Sequence, residues 1–191
     1  MADSRLRKCG GAIGRCRVEG FTLVELMVTV AVLAIVAAIA TPSFGRMISH
    51  NRLVAGGNEM VAAIQAARSE AIARRATTTF CATSDGQTCS GASGNRWLVL
   101  ATKNGVSTVV RSAEVNPALT VTVSPNVAAG NARISFTPAG FVQVGGRTSG
   151  TVAVCAPSLP NENSFDVSAS MVRVASAKRA AGAGCRAPGD I

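Results

Sequence analysis

Few side chains in this 191-residue chain could do chemistry, and their spacing excludes most of it. His50 is the sole histidine, set beside Asn51 and Arg52, and no nucleophile, base and orienting acid can be assembled around it. No glycine-rich phosphate loop follows a strand and opens a helix. His50 reads as a solvated helix residue, so neither an enzyme nor a cofactor is expected. Of the six cysteines, Cys81, Cys89, Cys155 and Cys185 lie in the body of the chain. They contain no C-x2-C pair and no histidine joins them, so a metal site is not expected. The remaining group is Glu25. It lies in Arg17–Leu26, R-V-E-G-F-T-L-V-E-L, at the head of an apolar run reaching Gly45.

That run is the first element that must position anything. Leu26 to Gly45 holds twenty residues without a charge, about 30 Å of helix and long enough to span a bilayer. Residues 1–20 carry a net charge of +3, which keeps the leader cytoplasmic and sends the rest outward. A secretory signal cut near Ala38-Ile39-Ala40 and an uncut anchor both leave Glu25 unexplained, because a carboxylate at membrane depth costs roughly 2.5 kcal/mol or more unless paired.

The motif G-F-T-L-V-E-L resembles the prepilin signal of type IV pilins and type II secretion pseudopilins. The resemblance implies cleavage after Gly20 by a prepilin peptidase, N-methylation of Phe21, and a glutamate, Glu25, that meets the N-terminal amine of a neighbouring subunit during assembly. Pro42 matches the family's proline near the end of the membrane segment, where it kinks or locally melts the helix. A new ammonium at Phe21 and a carboxylate one turn away are charges that neither can satisfy cheaply in lipid.

Beyond Pro42, Leu53, Met60, Ile64, Ala67 and Ala71 form one helical stripe, and Glu70 to Arg74 is an i, i+4 pair. One near-continuous helix over 21–76 is expected, with a weak point or hinge at Gly56-Gly57. Short strands follow: Thr77–Ala82, Trp97–Thr102, Val106–Arg111, Leu119–Val123, Arg133–Phe136, Phe141–Val144, Thr151–Cys155, Phe165–Val167 and Val172–Ala175. Lys103-Asn104-Gly105 marks a hairpin, and Pro117, Pro125, Pro138 and Gly145-Gly146 mark turns. The tail from Ala175 is Ala/Gly-rich and expected to be loosely ordered apart from its cysteine. The domains expected are a cleaved leader (1–20), the transmembrane half of the helix (21–45), its amphipathic half (46–76) and a C-terminal β domain (77–191).

If that domain lies outside the cytoplasm, disulfides are the default for its four cysteines. Three connectivities exist. Cys81–Cys89, closing a short loop, with Cys155–Cys185, tying the tail to the sheet, is the favoured one.

Ile134–Gly140 (I-S-F-T-P-A-G), Val152–Cys155 (V-A-V-C) and Phe165–Ser168 (F-D-V-S) resemble the GspH/FimT group (FimU-like) of minor pseudopilins and minor pilins. That resemblance implies an α+β, pilin-like fold with a long N-terminal helix, half transmembrane, on a small antiparallel β domain. It implies a structural subunit that joins and helps initiate or cap a type IV pilus or type II secretion pseudopilus. Its partners would be other pilins, met through the N-terminal helix, the prepilin peptidase and the inner membrane, with the β domain in the periplasm. Some FimT-type members bind DNA through Gly-Arg-x-Arg. Here the stretch is Ser170-Met171-Val172-Arg173: Arg173 matches the second arginine, while Met171 and Ser170 depart from the element. Lys178, Arg179 and Arg186 add charge nearby, so salt-dependent phosphate binding in DNA uptake is the alternative function.

Overall fold

The computed structural model describes residues 21–190 apart from 92, 93 and 172, and of residues 39–43 the backbone alone. The chain divides into two compact units, Met1–Thr41 and Pro42–Ile191. Helix α1, Leu23–Arg74, supplies helical residues to both.

In the second unit, α1 lies on two antiparallel sheets. The strands are β1 (Thr77–Ala82), β2 (Arg96–Lys103), β3 (Val106–Glu114), β4 (Thr120–Val123), β5 (Arg133–Phe136), β6 (Val142–Gln143), β7 (Ser149–Cys155), β8 (Ser164–Ser170) and β9 (Val174–Arg179), with a short helix α2 (Pro125–Ala129) after β4. The five-stranded sheet has the order β3-β2-β1-β5-β6 and the four-stranded sheet β4-β7-β8-β9. The small antiparallel β domain expected from the sequence is built from these two sheets.

The stripe Leu53, Met60, Ile64, Ala67 and Ala71 is buried and shares one core with Phe80, Trp97, Ile134 and Phe136 of the larger sheet and Val152, Val154, Phe165 and Val167 of the smaller. Phe80 and Trp97 stack with ring centroids 4.8 Å apart, and the indole N–H donates to the Gly94 carbonyl, so burying the ring leaves no donor unmet. The buried Thr78 hydroxyl donates to the Ala67 carbonyl at 2.6 Å, pinning β1 to α1. Glu59 of α1 pairs with Arg111 of β3 at 2.9 Å on the half-exposed flank.

The glycine pair of α1 is a contact, not a hinge. A Cβ at Gly57 would lie 2.3 Å from Cγ of Phe165, and one at Gly56 would meet Leu119, Val115 and Val154 at 3.2–3.3 Å. Their missing side chains let the helix backbone approach the smaller sheet, which offsets their poor helix propensity.

Most strands lie where β-branched runs between turn signals place them. The Asn104-Gly105 turn carries positive φ at both residues (52° and 78°), as a two-residue hairpin of this hand requires. The last strand differs from expectation, running Val174–Arg179 rather than Val172–Ala175, and Val172 lies outside the described residues. Pro125 opens α2 instead of marking only a turn, because proline's fixed φ suits a first helical turn.

Candidate functional site

The described part of the first unit begins at Phe21, and Gly20 lies outside it. Thr22 precedes α1 and caps it: its hydroxyl accepts the Glu25 amide hydrogen at 3.2 Å, and its carbonyl accepts that of Leu26 at 3.1 Å. Glu25 therefore stands in the first turn, where a carboxylate is favoured by the exposed amides and the helix dipole. Thr22-x-x-Glu25 is a capping-box spacing that the sequence offered and that the reading of Glu25 as a bare cost overlooked. Capping leaves the carboxylate exposed and able to meet an ammonium.

Around that turn, Leu23, Val24, Leu26, Met27, Val28, Val30, Val32, Leu33, Ile35 and Val36 are all exposed, so the helix is apolar on every side. A helix of that kind is built to be enclosed by something other than water. Among the described residues, no helix is long and apolar enough to cross a membrane. The twenty-residue span expected from the sequence includes residues 39–43, whose side chains, that of Pro42 among them, lie outside the description. His50 is exposed on α1. Among the described residues no cluster of three or more His, Cys, Asp or Glu could hold a metal ion.

In the second unit the disulfides are Cys81–Cys89 and Cys155–Cys185, with Cα separations of 5.6 and 5.8 Å. The first closes a loop organised by Asp85. Its carboxylate accepts from the Thr88 hydroxyl at 2.6 Å, the Thr88 and Gln87 amides at 2.8 Å and the Thr83 hydroxyl at 2.9 Å. Those donors, the Thr88 hydroxyl first, hold the carboxyl well below the usual carboxylate range.

The second disulfide corrects the expectation of a loose tail. Ala181 donates its amide to the Asn163 side chain, which returns a bond to the Gly182 carbonyl, each at 2.8 Å. The Arg179 guanidinium reaches the Arg186 carbonyl at 3.0 Å, and the Asn126 amide donates to Asp190 at 3.0 Å. Ala181, Cys155 and Cys185 form a small second core, and Pro188 is buried. The residues that fix the tail, Asn163 and Asn126, are remote in sequence, so the composition of the tail gave no sign of them.

Of the basic residues, Arg179 and Arg186 come together, while Arg173 and Lys178 lie apart. Arg173 is exposed in the β8–β9 turn, where its carbonyl accepts the Ser170 amide at 2.9 Å. Lys178 lies at the other end of β9, about 17 Å along an extended strand. Lys178 pairs with Phe165 and Arg179 with Ser164, so the two point to opposite faces of the sheet. Arg179 is ion-paired with Asp166 and bonded to the carbonyl of Arg186. An internally neutralised arginine is a weak phosphate contact.

Residues 57–175 match the family described as Type II transport protein GspH, and residues 15–41 match the Prokaryotic N-terminal methylation motif. Two solved structures of the Pseudomonas aeruginosa type IV minor pilin FimU, in space groups P21 and P65, are each similar to the chain at 22% identity with a TM-score of 0.49. The match covers 66% of this chain and 88% of the first, and 65% of this chain and 92% of the second. No curated protein matches. The GspH match runs over more than half of the sequence, from Gly57 of α1 through β8 to the start of β9. With a match of that extent, and a methylation motif ahead of it, the chain belongs to the GspH family.

Proposed function

We infer that this chain is made as a prepilin, cut after Gly20, methylated on Phe21, and assembled as a minor subunit that helps initiate or cap a type IV pilus or a type II secretion pseudopilus. The observation that carries the reading is a helix apolar on every side, headed by a capped first turn with an exposed carboxylate. Residues 21–45 then lie in the inner membrane before assembly and among the helices of neighbouring subunits afterwards, with the β domain in the periplasm. Pro42, with no N–H, leaves one helix hydrogen bond unmade near the end of that segment.

Removal of the leader creates an ammonium on Phe21. In a stack of such helices, the Glu25 carboxylate of one subunit meets the amine of the next. Each charge is costly alone in an apolar setting and much less so as a pair.

The test is Glu25→Val in cells that assemble the filament. Membrane insertion should be retained or improved while the variant is recovered poorly in sheared filaments. Incorporation at the native level would remove the pairing role. Mass analysis of the mature N-terminal peptide should find a methylated Phe21; a chain that keeps residues 1–20 would overturn the prepilin reading itself.

A further inference from the structure

Strand β4 is an edge of the smaller sheet, and its backbone phase is fixed. The Ser124 amide donates to the Thr151 carbonyl of β7 at 2.9 Å, in the same register that pairs Thr122 with Ala153 and Thr120 with Cys155. Antiparallel pairs alternate between bonded and unbonded, so Thr120 and Thr122 aim their amides and carbonyls at β7. Leu119, Val121 and Val123 aim theirs away from it. The fold caps the first of these: the Asn95 side-chain amide donates to the Leu119 carbonyl at 3.0 Å. Among the described residues nothing bonds the outward amides and carbonyls of Val121 and Val123.

Those groups open onto a groove of about 650 Å³. Gly91, Gly94, Asn95, Trp97, Ala128 and Ala132 also line it, and among the described residues no lining residue is charged. The other edges are guarded in the usual ways. β3 carries Arg111 and Glu114 and a register shift opposite Val99 and Leu100, β9 carries Lys178 and Arg179, and β6 has two residues. β4, Thr-Val-Thr-Val, has no charge, proline or bulge.

We propose that the outer edge of β4 accepts an extended, uncharged strand from a neighbouring subunit, which becomes a fifth strand of the smaller sheet. Two amides and two carbonyls alternating at strand spacing are matched together by another backbone, and an apolar ligand filling the groove would leave them unmet. The uncharged lining selects against a charged segment, whose desolvation nothing there would offset. The proposal rests on the subunit reading, because a strand donor is held at this edge only inside an assembly.

The test compares amide exchange of the full chain in detergent with that of the chain in isolated filaments, resolved by fragment mass spectrometry. The Val121 and Val123 amides should slow several-fold on assembly, while those of Thr120 and Thr122, already bonded to β7, should not change. Unchanged exchange at Val121 and Val123 in a chain that is present in filaments overturns the proposal and leaves the subunit reading intact. A native chain never found in filaments overturns both. Val123→Pro, which removes one outward N–H, and Thr120→Lys, which charges the exposed rim, should each lower incorporation several-fold; native incorporation of the folded variants also overturns it.

Discussion

Gly57 of α1 lies directly under the ring of Phe165 on β8, so close that a methyl group on Gly57 would sit 2.3 Å from Cγ of the ring. The ring belongs to the shared core and cannot move without disturbing it. Gly57→Ala gains up to ~1 kcal/mol of helix propensity and loses about 1–3 kcal/mol to overpacking, so it should destabilise. Gly56→Ala meets only side-chain methyl groups at 3.2–3.3 Å, which can shift slightly, and should fall within ~1 kcal/mol of the parent. Chemical denaturation of the two variants separates them; equal midpoints would mean the ring gives way freely.

Trp97 is the only tryptophan and is buried against Phe80, so its fluorescence reports the larger sheet directly. Phe80→Ala should cost about 3–5 kcal/mol through the cavity it leaves. The native emission should move to longer wavelength as water reaches the indole. A loss under 1 kcal/mol would show that the core collapses around the gap.

Replacing Cys155 and Cys185 together by serine removes a 30-residue cross-link and should cost about 3–4 kcal/mol on the chain-entropy model. The tail should then become open to proteolysis from Ala180 onward. Digestion at the parent rate would show that Asn163 and Asn126 hold the tail by themselves.

Asp85 titrates well below an ordinary carboxylate because four hydrogen bonds favour its charged form. Its contribution is fully present above the unfolded-state value near 4 and is lost as pH falls toward the folded-state value. The stability difference between the parent and Asp85→Asn should be constant from pH 5 to 8 and shrink below about pH 4. A difference that varies through neutral pH would assign the effect to another group.

DNA retention should be weak and should vanish at physiological salt, since Arg179 is neutralised by Asp166 and Arg173, just before β9, lies apart from Lys178. A mobility shift of the full chain at two salt concentrations measures this. A complex that persists at the higher salt, and is lost in Arg173→Ala, would favour the DNA-uptake function instead.

The legible parts of the fold were those set by local period and turn chemistry. The stripe from Leu53 to Ala71 buries a helix face whatever lies beneath it, and Asn104-Gly105 needs no distant partner to turn. The division into two sheets was not legible, because strand alternation says which face is buried and not which neighbour a strand takes. Gly56-Gly57 misled for a related reason: propensity sees two poor helix formers, while the ring that justifies them lies more than a hundred residues away. The tail misled because its ties run to Asn163 and Asn126. At the N-terminus the Thr22-x-x-Glu25 cap is legible from spacing alone, whereas the cost of a carboxylate in lipid says nothing of a helix end.

The order of the cysteines along the chain has a consequence for how it is made. The bonded pairs are consecutive, Cys81 with Cys89 and then Cys155 with Cys185. A polypeptide that emerges N-terminus first into an oxidising space can close the first pair before the third thiol arrives. When Cys155 and Cys185 follow, they find only each other. Oxidation in order of arrival yields the native connectivity, and maturation of this domain should proceed without an enzyme that reshuffles wrong bonds.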